Sequence, residues 1–169
     1  MASVTGFRPS PQINILPVNT PSVPSNGMMS ADLTFFRQLA TQLETRSPFF
    51  RGRNARLLRL ALATNEAAGN VVDSLQLTTA VYLHDVGMMF LPEHVWLKVG
   101  SLSTEEKQYL ERHPEWGAGL LERMAGWEDA AAMILQHHEK ADGSGYPHGL
   151  HDAEIVDGAK ILAIVDAFE

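Results

Sequence analysis

A chain of 169 residues, 45% of them hydrophobic, is long enough for one folded domain with an extension and too apolar to stay unfolded. It has no cysteine, which excludes disulfides and thiolate metal sites and leaves His, Asp and Glu, donors suited to Mn, Fe, Ni, Mg or Zn, as ligands for any divalent metal. A net charge of −7 argues against DNA and other general nucleic-acid binding, and with no signal-like start and no apolar run of about 18 residues the chain reads as soluble, cytoplasmic and without a membrane span.

Residues 1–29 hold Pro9, Pro11, Pro17, Pro21 and Pro24 among Ser and Asn, and read as a flexible lead-in. Residues 30–169 read as one all-α domain. Ser30 is placed to cap a helix whose buried face is Leu33, Phe36, Leu39, Ala40 and Leu43, and Ser47-Pro48 should end it. A second helix is expected from Gly52 to Ala68, stopped by Gly69-Asn70, and a third from Ser74 to His84, ending near Gly87. Ser103 with Glu106 forms a capping-box pattern for a helix to about Met124, which Pro114 should kink or split. Trp127–His138 is helical, Asp142–Pro147 is a loop, and a last helix begins near Gly158. That helix stops at the chain terminus with its apolar face still needing partners, so the bundle is expected to be truncated at its C-terminal end. Trp96, Trp116 and Trp127 read as packing residues, and His94, His148 and His151 as surface residues.

Polar residues interrupt these apolar elements in a pattern. His84 and Asp85 close the third helix, His113 sits just before the proline, His137 and His138 close the next helix, and Asp166 interrupts Ile161–Val165. A buried carboxylate is costly unless partnered. Four imidazoles and two carboxylates at buried helix ends make a natural cage for divalent metal, and two such ions clamp a phosphodiester and activate water between them.

The order His84-Asp85-Val86-Gly87, His113-Pro114-Glu115, His137-His138-Glu139, Asp142-Gly143-Ser144-Gly145-Tyr146-Pro147 and Val165-Asp166-Ala167-Phe168-Glu169 resembles the HD-GYP domain over about residues 52–169. The resemblance implies an all-α HD-type bundle and a metal-dependent phosphodiesterase. Such an enzyme converts cyclic di-GMP to linear pGpG or GMP at a site of one or two divalent ions. By the same resemblance, Asp85 is a bridging carboxylate, His113, His137 and His138 are ligands of one metal, and His84 and Asp166 are ligands of the other. Glu169 is a candidate general acid. Asp142, Gly143, Gly145, Tyr146 and Pro147, with Lys160, form a substrate or partner loop, where diguanylate cyclase or another signalling protein would dock. Glu139 is a candidate acceptor for a ligand imidazole.

Besides Glu169 for the usual Asp and Lys160 for the usual Arg, three departures from the family pattern bear on the metals and phosphate. Arg53 stands where a further ligand His is expected, and an arginine cannot ligate a cation. It either leaves the His84–Asp85–Asp166 ion with three protein ligands or puts its own charge there. Met88 replaces a phosphate-contacting lysine, and Pro48-Phe49-Phe50 lacks the acid for a third metal. The alternative expectation is therefore a degenerate domain that binds nucleotide or protein without efficient turnover.

Overall fold

The computed structural model describes residues 26–46 and 50–169. Eight α-helices run in chain order: α1 Asn26–Thr45, α2 Arg53–Ala67, α3 Ser74–Leu83, α4 Glu93–Trp96, α5 Thr104–Leu110, α6 His113–Leu121, α7 Glu128–Gln136 and α8 Asp157–Phe168. Short 3-10 turns cover Val86–Phe90 and Asp152–Glu154. Among the described residues there is no strand, only an isolated bridge between Asp142 and His151, so the all-α class holds. None of the described helices is long and apolar enough to cross a membrane.

α3 is the central helix and touches α1, α2, α7 and α8. Its Leu77, Ala80, Val81 and Leu83 are buried in the core with Phe36, Leu57, Ala61, Ile134 and Leu162. Trp127 is fully buried, edge-on to Phe36 with ring centroids 5.2 Å apart. Its indole Nε1–H donates to Asp32 Oδ2 at 3.0 Å, which satisfies the one polar atom it brings into the core.

Several boundaries follow the sequence patterns. Ser103 and Glu106 form the reciprocal capping box, and Gly69 and Asn70, both at positive φ, end α2. Pro114 splits the expected long helix outright. α5 stops at Leu110, and His113 becomes the first residue of α6 instead of an interior one, because proline suits a helix's first turn. The expected start at Ser30 is displaced. α1 begins at Asn26, inside the stretch assigned to the lead-in, because Met29 packs on the core and burial carries the helix back past the polar residue. The Ser30 carbonyl instead accepts the Thr34 hydroxyl at 3.0 Å. The rest of the lead-in, residues 1–25, and the Ser47-Pro48 stop lie outside the described residues.

Side chains from neighbouring helices cap several helix starts. Gln76 of α3 accepts from Ala130 N at 2.9 Å and donates to Gly126 O at 2.6 Å, which fixes the start of α7. Glu44 of α1 accepts from Gly52 N at 3.0 Å and Asn54 N at 2.7 Å, which fixes the start of α2 and hence Arg53. The turn after Asp85 lies directly on α6. A Cβ on Gly87 would stand 2.0 Å from the His113 carbonyl oxygen, a contact that only backbone movement could relieve.

Gly87→Ala is therefore expected to lower stability by about 2–3 kcal/mol, the cost of overpacking. Gly119→Ala, on open helix surface within α6, should raise it by about 0.5–1 kcal/mol. Urea denaturation of both variants beside the parent chain checks the pair, and equal effects would refute the close approach.

Candidate metal centre

The ends of α3, α5 and α7 come together, and a histidine follows each: His84 and His137 directly, His113 three residues on, as the first residue of α6. His84 Nδ1 lies 2.8 Å from Val81 O, His113 Nδ1 2.9 Å from Leu110 O, and His137 Nδ1 2.6 Å from Ile134 O. Each acceptor is the carbonyl three residues earlier, in the last turn of α3, α5 or α7, where no helical N–H remains to bond it. A carbonyl only accepts, so Nδ1 carries the proton and Nε2 points inward. All three rings are buried.

His113, His137 and His138 bring one nitrogen each to within 4.8 Å of one another. Nε2 of His113 and Nε2 of His137 are 3.4 Å apart. With both Nδ1 atoms protonated and both rings neutral, this contact sets lone pair against lone pair, an arrangement that a cation between them would satisfy. Asp85 Oδ1 stands 3.6 Å from His113 Nε2 and adds a carboxylate. This donor set fits a divalent ion.

The second group, His84, Asp85 and Asp166, also places its donor atoms within 4.8 Å of one another. Here the donors already have a cationic partner. Arg53 Nη1 lies 3.1 Å from His84 Nε2 and 3.2 Å from Asp85 Oδ2, and Nη2 is bonded to Asp166 Oδ1. The guanidinium is half-buried, with the Phe50 ring centroid 5.8 Å from its carbon. The residues present do not leave this group free for a metal. Asp85 thus serves both halves, with Oδ1 toward the imidazoles and Oδ2 toward Arg53 and His84.

Burial holds His113 and His137 below the ordinary imidazole range, with His137 far below it, and lowers His138 to about 4. All three are neutral near pH 7, as ligands must be. Burial works against the charge on His84, but the charge of Asp85 and the bonds to Asp166 and Asp85 overcome it and raise its pKa to about 10. A proton on His84 Nε2 satisfies the carboxylates, whereas a lone pair there satisfies Arg53. Two anions outweigh one cation and favour the proton. Burial opposes ionisation of both carboxylates, yet bonding and charge from His84 keep Asp85 well below its usual range and Asp166 at about 2.

The Gly-Tyr-Pro loop folds over the imidazoles. The Tyr146 ring sits 4.8 Å from that of His138, tilted by 31°, and the Tyr146–Pro147 bond is cis. Tyr146 N donates to His138 O at 3.2 Å, and a Cβ on Gly145 would stand 2.5 Å from that same oxygen, so this crossing needs glycine. Glu139 does not reach a ligand imidazole. Its carboxylate accepts from His148 N at 2.7 Å and Leu150 N at 2.9 Å, because the chain beyond α7 turns it toward the loop's unpaired N–H groups. Asp142 and Gly143 lie farther out, with Asp142 Oδ1 accepting from Ser144 N at 2.9 Å. Two expected residues stand apart from the centre. Glu169 is paired with Arg56 of α2, and Lys160 lies 3.1 Å from Asp152 in the 3-10 turn before α8 and 3.8 Å from Asp157 in the first turn of α8. His94, His148 and His151 are exposed, as expected. The positioning roles of Gln76 and Glu44 leave no local signal. The Nδ1 acceptors do leave one, since each lies three residues before its histidine.

The low pKa of His138 has a pH consequence. Between about 6.5 and 4 the unfolded chain takes up a proton that the folded chain refuses, so stability of the metal-free protein falls as pH drops through that window. His138 alone should contribute a loss on the order of 2–3 kcal/mol. Denaturation midpoints at pH 7 and pH 4.5, with ring titration followed by NMR, check this, and a His138 midpoint near 6.5 would contradict it.

The HD domain family model matches residues 37–169. The cyclic di-GMP phosphodiesterase response regulator RpfG of Xanthomonas campestris pv. campestris is 40% identical over 92 residues, which are 53% of this chain and 24% of RpfG. The 3'3'-cGAMP-specific phosphodiesterase 2 of Vibrio cholerae is 37% identical over 89 residues, 52% of this chain and 17% of that protein. The chain thus spans a quarter or less of the length of these curated relatives. The solved structure of Bd1817, an HDG"Y"P protein from Bdellovibrio bacteriovorus, shares the fold with a TM-score of 0.57 at 24% identity, covering 68% of this chain and 38% of its own. The family match runs from within α1 to the last residue and takes in every element around the histidines, and the chain accordingly belongs to the HD domain family.

Proposed function

We propose that this chain is a metal-dependent phosphodiesterase domain that hydrolyses cyclic di-GMP to linear pGpG and then GMP. The observation that carries this reading is the group of three neutral, buried imidazoles facing Asp85 Oδ1, with the Nε2 lone pairs of His113 and His137 opposed at 3.4 Å. The names of the relatives supply the substrate class, a cyclic dinucleotide. His113, His137, His138 and Asp85 would hold the ion. When bound, such an ion supplies Lewis-acid charge to a phosphoryl oxygen and acidifies water for attack on phosphorus. Asp85 orients that half of the site through Oδ1 and ties it to Arg53 through Oδ2. Tyr146 covers His138 and excludes bulk water from the imidazoles. As phosphorus gains the water oxygen, the water gives up a proton, the bond to the sugar oxygen breaks, and that oxygen takes a proton. Glu169, the candidate to take up the one and deliver the other, would have to leave Arg56 to do so. The exposed rim of the loop at Asp142 and Ser144 is the surface we assign to a signalling partner such as a diguanylate cyclase.

A second reading is a domain that binds cyclic dinucleotide without efficient turnover. Two observations favour it: Arg53 occupies the His84 half of the site, and Met88 brings neither charge nor proton to the turn after Asp85.

Purified chain incubated with Mn²⁺ or Fe²⁺ and cyclic di-GMP, with products resolved by chromatography, separates the two. Linear product is expected, reduced at least about 100-fold by His137→Ala and by chelator. Binding without product supports the regulatory reading, and turnover of 3'3'-cGAMP in preference would move the substrate assignment.

A further inference from the structure

The two donor groups that Asp85 joins differ in one respect. In the imidazole group the donors face one another with nothing positive between them. In the other, one guanidinium lies against all three: it is bonded to Asp85 Oδ2 and Asp166 Oδ1, and its Nη1 stands 3.1 Å from His84 Nε2. We propose that Arg53 is a tethered cation standing in for a second metal ion, so that the chain holds one divalent ion, at Asp85 Oδ1, His113, His137 and His138, and is closed to another at His84, Asp85 and Asp166.

Geometry limits any coexistence. Arg53 Nη1, His84 Nε2 and Asp85 Oδ2 form a triangle with sides of 3.1, 3.1 and 3.2 Å. An ion bonded to both Nε2 and Oδ2 at about 2.1 Å could stand no farther than about 4 Å from Nη1, whichever side it entered. A guanidinium cannot shed its proton to relieve the repulsion, and at that separation in a half-buried site like charges repel strongly. Nη2 also holds Asp166 Oδ1, the third ligand such an ion would need. Arg53 is held where it is. It is the first residue of α2, whose start is capped by Glu44, and it packs against Phe50. Three residues on, Arg56 pairs with Glu169, so the same two helix faces are clasped twice.

The inference rests on the metal reading given above but not on turnover, and its test reads metal directly. The whole chain is equilibrated with excess Mn²⁺, desalted, and its manganese counted by elemental analysis, with the Mn²⁺ EPR spectrum recorded. One ion per chain is expected, with the six-line signal of an isolated ion. Arg53→His, which removes the guanidinium and adds a ligand, should bind two ions and show a spin-coupled pair. Arg53→Gln, neutral and of similar length, is held to the same count should the histidine variant not fold by circular dichroism. Two ions on the parent chain would overturn the proposal, since Arg53 would then have moved aside. A folded, charge-free variant that still takes one ion would overturn it too. No ion on the parent chain would overturn the metal reading itself, and is told apart from the other failures by that count.

Discussion

The structure around the centre depends on one repeated contact, a histidine Nδ1–H bonded to the carbonyl three residues before it. His84, His113 and His137 each make it, at the C-terminal ends of α3, α5 and α7. The contact satisfies a carbonyl that the helix leaves unpaired, and in doing so it fixes the ring's tautomer and aims Nε2 at the common centre. Helix C-termini carry partial negative charge, so the ends of α3 and α7 favour a cation by up to roughly 1 kcal/mol each, whereas that of α5 is offset by the N-terminus of α6, which His113 begins. The same geometry that ends the helices therefore creates both the ligands and the field for positive charge.

Such an arrangement works only if the helix ends are held in register, and caps from one helix to another do this. Gln76 anchors the start of α7, at whose far end His137 and His138 stand. Glu44 anchors the start of α2 and with it Arg53, and Gln136 Oε1 accepts from Val156 N at 2.8 Å just before α8, which carries Asp166. Glu139 ties the loop that carries Tyr146 to the end of α7. Each polar side chain satisfies backbone groups that would otherwise be costly to bury, and each also fixes a functional residue in place.

Much of this was legible in the sequence because its signals are local. Apolar periodicity marked the helices, Ser103 with Glu106 marked a start, Gly69-Asn70 a stop, and Pro114 a break. His84, Asp85, His113, His137, His138 and Asp166 stood out as polar residues at buried helix ends, and the structure gathers all six. What could not be read depends on contacts between distant residues. Gln76 and Ala130 are 54 positions apart, and Arg53 and Asp166, 113 apart, are linked in the sequence only through the motif resemblance. No periodicity encodes such pairs. The partners of Glu139, Glu169 and Lys160 are of the same kind: loop N–H groups, Arg56 and Asp152, none of which their motif positions announce.

Arg53 is the residue at which chemistry and folding meet. A carboxylate pair such as Asp85 and Asp166, brought together at the end of a bundle, needs positive charge to fold at all. An exchangeable ion supplies that charge only when metal is present, whereas a guanidinium supplies it permanently and reinforces the clasp of α2 on α8. The two solutions differ in what they leave for reaction. An ion has open coordination positions for water and phosphate, but the guanidinium's bonds to Asp85 and Asp166 leave fewer donors free. On the proposed phosphodiesterase reading, stability gained at this half of the site is drawn from catalytic capacity, the usual trade where a charge-crowded site is relieved. His113, His137 and His138, whose opposed lone pairs have no such internal partner, keep the demand for an ion.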